Sequence, residues 1–148
     1  MMGISHYREL VVWQRSMTLV ERIYQITVDF GADERFGLMA QLRRAAVSVP
    51  SNIAEGNARR SALDYARFVS MALGSVAEIE TQLEIATRLG LLQRVIADEL
   101  VAECAEVGKM LLSLDRKLRS YSASKVTDQS DWDESPLVPG PWSLVPGP

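Results

Sequence analysis

The chain has 148 residues, 47% hydrophobic and 24% charged, with 16 basic and 19 acidic side chains for a net charge of -3. That balance suits one folded domain and excludes a disordered polyelectrolyte or a generally basic nucleic-acid binder. The single cysteine, Cys104, has no internal disulfide partner, and no apolar run approaches the roughly 18 residues of a membrane span, so the expectation is a cytoplasmic protein without membrane association.

Apolar residues three and four apart share a helix face, and this spacing recurs four times. The first helix is expected over residues 7–28, with one stripe of Leu10, Trp13, Met17, Val20 and Tyr24 and a second of Val12, Leu19, Ile23 and Ile26. Gly31 marks its end and Asp33 is placed to cap the second helix, whose core line is Met39, Leu42, Ala46, Val49 and Ile53. Gly56 and Asn57 then stop that helix. Ser61 and Asp64 resemble a capping box opening the third helix, whose line runs Tyr65, Val69, Ala72, Val76, Ile79, Leu83 and Ala86 until Gly90 breaks it. The fourth helix starts between Gln93 and Asp98 and carries Leu100, Cys104, Val107, Leu111, Leu114 and Leu118.

Four long helices with short connections imply an all-α, antiparallel up-down-up-down four-helix bundle over residues 1–122. Residues 123–148 are expected to form a separate tail, acidic and then rich in Pro and Gly, disordered or polyproline-like. Five of the six prolines lie there, and LVPGP occurs at 137–141 and again at 144–148. With Trp132 and Trp142 the repeats also admit a docking role. Two apolar stripes on the first helix, and small residues such as Gly74, Ala77, Ala105 and Gly108 on the third and fourth, exceed what one bundle core needs and suggest self-association.

Catalytic and metal chemistry find few carriers. His6 is the only histidine and lies ahead of the bundle, which removes Glu-x-x-His metal pairs and Ser-His or Cys-His nucleophile pairs. Cys104 falls on a core line. Glu78, Glu80 and Glu84 read as a solvated helix face, and EGNARRS lacks the glycine spacing of a phosphate loop. No enzyme and no cofactor are expected.

The stretch QLRRAAVSVPSNIAEGNARRS, residues 41–61, carries the remaining information. Pro50 deletes the hydrogen bond to the carbonyl of Ala46 at a cost of about 3 kcal/mol. Gln41, Arg44, Ser48, Asn52 and Glu55 form a polar stripe opposite the core line. One reading is a kinked second helix in which Ser51 and Asn52 satisfy the freed carbonyl, with Glu55, Gly56 and Arg44 or Arg59 completing the network. The other makes Arg43, Arg44, Arg59 and Arg60 contacts for nucleic-acid phosphates, since arginine forks match phosphate oxygens.

FGLMAQLRRAAVSVPSNIAEGNARRS, followed by FVSMALGSVAEIETQLEIATRLGLL, closely resembles the four-helix-bundle proteins encoded in 23S rRNA intervening sequences, over residues 7–118. Arg43, Arg44, Pro50, Asn52, Glu55, Gly56, Gly74, Ser75 and Glu80 match that family's signature. The resemblance implies a homopentameric ring without established enzymatic activity. The chain is also similar to the accessory variability determinants of diversity-generating retroelements, which work with a reverse transcriptase and RNA. Three functions are therefore expected as alternatives: a homo-oligomeric scaffold for RNA or a nucleic-acid-processing protein, a module presenting several Pro-rich tails to a protein partner, and, from the second resemblance, a retroelement reverse-transcriptase accessory protein.

Overall fold

The computed structural model describes residues 6–34 and 37–132, and these form four α-helices with three short 3-10 turns and no strand among them. Helix α1 spans Val11–Thr27, α2 Leu38–Asn57, α3 Ala62–Arg88 and α4 Arg94–Trp132. Helix α2 packs along α3, α3 on α4, and α1 closes the bundle against both α2 and α4. This is the antiparallel bundle expected from the helical spacing.

The core lines of α2, α3 and α4 point inward as their spacing requires. All seven expected residues of α3 are buried, while Met39 on α2 and Leu114 on α4 are half-buried at the edges. On α1 the two apolar stripes separate. Val12, Leu19 and Ile23 enter the core, whereas Met17 and Tyr24 are exposed and Trp13 and Val20 half-buried. A 17-residue helix at the bundle corner has only one face to bury, so its second stripe becomes surface.

The helix ends follow local chemistry. Gly31, at φ 91°, closes the turn after α1, and Ser61 accepts a hydrogen bond from the backbone of Asp64 at 3.0 Å at the start of α3. At the end of α3, Leu91 N–H donates to the Ala86 carbonyl and Gly90 N–H to that of Thr87, with Gly90 at φ 76°. This is a Schellman closure, which requires a left-handed residue where glycine stands.

Three expectations are corrected. Asp33 does not cap α2; the Glu34 carboxylate does, accepting from Leu38 N–H at 3.0 Å, one residue nearer the helix. The first helix begins at Val11, because Tyr7–Glu9 forms a separate 3-10 turn. The change of composition after Ser120 does not end α4, which continues to Trp132, so the expected boundary between residues 122 and 123 falls inside a helix. Serine, lysine and aspartate cost a helix only a few tenths of a kcal/mol each, about a fifth of what proline does, and the first proline beyond α4 is Pro136. The expected tail conformation at 133–148 lies outside the described residues.

Candidate functional site

Helix α2 runs unbroken through Pro50, which is buried. The residues expected to repair the missing hydrogen bond do something else. Asn52 Nδ2 donates at 2.8 Å to the carbonyl of Ser48, not to that of Ala46, and Ser51 is exposed on the side facing α1. Glu55 meets Arg59 at 3.7 Å, an exposed pair one turn apart worth a few tenths of a kcal/mol, and Arg44 takes no part in it. Gly56 has a packing role: a Cβ there would lie 2.8 Å from Phe68 Cβ and 2.9 Å from Tyr65 Cδ1, so α2 and α3 pack tightly at this point.

The polar stripe of α2 turns toward α3 instead of pointing away from the core. Gln41, Arg44, Ser48 and Asn52 face Gly74, Ser75, Glu78 and Gln82 across an open groove of about 570 Å³. Ser48 hydrogen-bonds Ser75 at its floor, and Ser75 donates to the Met71 carbonyl at 3.2 Å. At one end the Gln82 side chain is buried, and its Oε1 has no donor among the described residues. Arg44 and Glu78 line the same groove without forming an ion pair to each other or to any other described residue. Gly74 is exposed, and a Cβ added there meets no atom within 4 Å. Sequence reasoning found the α2 half of this seam but missed Glu78 and Gln82 as its other wall. The signal was the second polar line on α3, one position off the core heptad.

The four arginines are not gathered into one patch. Arg43 turns to α1, donating from Nε to Thr27 Oγ1 at 2.8 Å with its guanidinium 4.5 Å from the Tyr24 ring centre. Thr27 itself is buried and donates to the Ile23 carbonyl at 2.7 Å, so Arg43 is fixed in the α1–α2 seam. Arg44 lines the α2–α3 groove. Arg59 lies over Phe68 at 4.6 Å beyond the end of α2, and Arg60 beside it is exposed with no ion pair among the described residues. From Arg44 to the end of α2 at Asn57 is about 20 Å of helix rise, and Arg59 lies beyond it, too far for one phosphate to bridge. Two separate places therefore present arginine to solvent, the α2–α3 groove and the turn between α2 and α3.

Among the described residues no three His, Cys, Asp or Glu side chains converge in a metal-binding arrangement, and no helix is long and apolar enough to cross a membrane. Cys104 is buried in the core, where desolvation first, and the charges of Glu80 and Glu103 after it, push its thiol up to about 12.

Fold and site together define an all-α four-helix bundle with a polar seam between its two middle helices. The chain belongs to the 23S rRNA-intervening sequence protein family, whose pattern matches residues 8–113. It is similar to the crystal structure of a protein of unknown function from the S23 ribosomal protein family of Bacteroides thetaiotaomicron: 26% identity, a TM-score of 0.64, and coverage of 71% of this chain and 98% of that one. None of the curated proteins matches it.

Proposed function

We propose that this protein is a non-enzymatic homo-oligomeric scaffold, a pentamer in the sense of its family resemblance, that brings subunits together through the α2–α3 face and offers arginines to RNA. The observation that carries this reading is Gly74. A glycine inside a helix costs about 0.5–1 kcal/mol relative to alanine. Among the described residues nothing needs its missing side chain. Close approach of a second copy offsets the cost, and a neighbour's donor would satisfy the buried Gln82 oxygen in the same groove.

The RNA part of the reading rests on the α2–α3 turn. Arg59, Arg60 and the nearby exposed Arg67 outnumber Glu55 and Asp64, and Arg60 has no acid paired to it among the described residues. One such turn is a weak phosphate site, but a ring repeats it once per subunit, and the gain from several linked contacts is multiplicative.

Two measurements test the two parts. Native mass of the full chain is expected to be a multiple of 16.4 kDa, and Gly74→Leu, whose Cβ meets nothing in its own chain, is expected to lower it. A monomeric parent protein rejects the scaffold. Binding to a structured RNA is expected to weaken steeply with salt, and replacing Arg59 and Arg60 with Glu to weaken it at least about tenfold at fixed salt. Affinity unchanged by that double substitution rejects the turn as the contact.

A further inference from the structure

We propose that the Pro-rich segment beyond α4 docks onto its own bundle, in the groove between α1 and α2, with Trp142 and the second LVPGP repeat as the inserted part. The groove, about 280 Å³, is the outward consequence of the second stripe of α1. Tyr7 and Trp13 form one end of it, their rings edge-on at 5.3 Å, and Met17, Val47 and Pro50 continue it. Met17 and Val47 are 37% and 40% exposed, and no charged residue among the described ones lines the groove.

The chemistry of this groove fits an occupant of one kind. An aromatic-walled apolar slot is the surface on which polyproline segments bind, because their extended backbone is already ordered and their rings lie flat on aromatic faces. The chain supplies such a segment in PLVPGPWSLVPGP, residues 136–148. The Arg8 guanidinium sits 5.8 Å from the Tyr7 ring centre and 5.9 Å from that of Trp13, on the lip of the slot. The α2–α3 groove, in contrast, is lined by Arg44, Glu78 and amides. The groove between α1 and α4 is lined by Lys117 and Ser113 beside its apolar residues and has no aromatic wall among the described residues.

Reach decides which part of the segment arrives. Arg22 on α1 pairs with Glu99 and Glu103 on α4, and Leu10 and Val12 lie beside Met110 and Lys117, so Tyr7 stands level with the α4 residues just after Lys117. Helix α4 then continues past the half-buried Tyr121 to Trp132, carrying the chain about 16 Å beyond the bundle end. Ten residues in polyproline geometry span about 31 Å, enough to return that distance and cross the width of one helix, about 10 Å. Trp142 is therefore delivered to Tyr7 and Trp13, the second repeat runs on toward Val47, and the first repeat is spent on the return.

Disulfide trapping in the full chain tests this. Ser51 lines the α1–α2 groove and is exposed; Ser113 lines the α1–α4 groove and is exposed; Cys104 is buried and takes no part. With Leu144→Cys, Ser51→Cys is expected to form an intrachain disulfide at least about tenfold faster than Ser113→Cys, because docking raises the local concentration at one groove only. Trp142→Ala is expected to bring the Ser51→Cys rate down to that of Ser113→Cys. Equal rates for the two pairs, faster trapping at Ser113→Cys, a disulfide-linked dimer as the main product, or a rate indifferent to Trp142→Ala would each overturn the proposal.

Discussion

The hydroxyls of Ser48 on α2 and Ser75 on α3 hydrogen-bond to each other across the helix seam. Ser75 donates its proton to the Met71 carbonyl at 3.2 Å, which leaves its lone pairs to accept the single proton of Ser48, for which the Ala45 carbonyl, 3.0 Å from Ser48 Oγ, is the competing acceptor. A Ser48 proton that could have stayed on its own helix is thereby shared across the seam. Ser48→Ala and Ser75→Ala are each expected to cost about 1 kcal/mol in urea unfolding. Because one bond serves both, the double variant should cost less than the sum of the singles by at least about 0.5 kcal/mol. Strict additivity would show that the contact carries no coupling.

One helical turn past Asn52 the same two helices pack tightly at Gly56. Adding a methyl group there pushes on Phe68 Cβ and on the fully buried Tyr65 ring, neither of which is the free end of a flexible chain. Tyr65 is held further by Asn57 Nδ2, which donates to its hydroxyl at 3.4 Å. Gly56→Ala is expected to destabilise the fold by about 1–3 kcal/mol despite improving helix propensity, the overpacking term exceeding the propensity gain of at most about 1 kcal/mol. A higher melting temperature for the variant would contradict this packing.

The contrast between Gly56 and the residues around it shows what the sequence conveyed. Core lines were legible wherever a single apolar stripe ran along a helix, as on α3 from Tyr65 to Ala86, because helical spacing alone decides which residues face inward. On α1, spacing offered two stripes, and only the position of the helix at the bundle corner separated buried Leu19 from exposed Met17. The α2–α3 groove was half legible for a related reason. The polar line through Arg44, Ser48 and Asn52 is visible in sequence, but whether it meets solvent or a neighbour depends on helix rotation, which residue order does not specify. The end of α4 was misplaced because composition signals the absence of a core face, and a helix can run past its core.

Glu84 links the end of α3 to the beginning of α4. Its Oε2 accepts from Arg94 Nη1 at 2.6 Å and its Oε1 from Arg88 Nε at 3.0 Å, across the turn closed by Gly90. The hydrogen bonds from Arg94 and then Arg88 hold its carboxyl down from the ordinary 4.5 to about 2. A carboxylate whose folded value lies below its unfolded one stabilises the fold fully above 4.5, and that contribution is lost as pH falls from 4.5 toward about 2. Glu84→Gln is therefore expected to lower the melting temperature near neutral pH and to converge with the parent protein through that window. A gap that stays constant with pH would mean the pair does not stabilise the fold.

Cys104 supplies the last prediction, because its chemistry follows entirely from where α4 places it. The side chain is fully buried on the core line between Leu100 and Val107. Burial raises its pKa to about 12, with the negative charges of Glu80 and Glu103 acting in the same direction. An ordinary thiol near 8.5 is about one-quarter thiolate at pH 8; one near 12 is about one part in ten thousand, and the thiolate is the reacting species. Closure of the bundle over the sulfur slows attack further, so a thiol reagent must wait for the bundle to open. Modification of Cys104 in the native protein is expected to be at least about a thousandfold slower than in urea, and to accelerate in parallel with unfolding as denaturant is added. Rapid native-state labelling would place a path to the sulfur through the α3–α4 interface and would make Cys104 a reactive site after all.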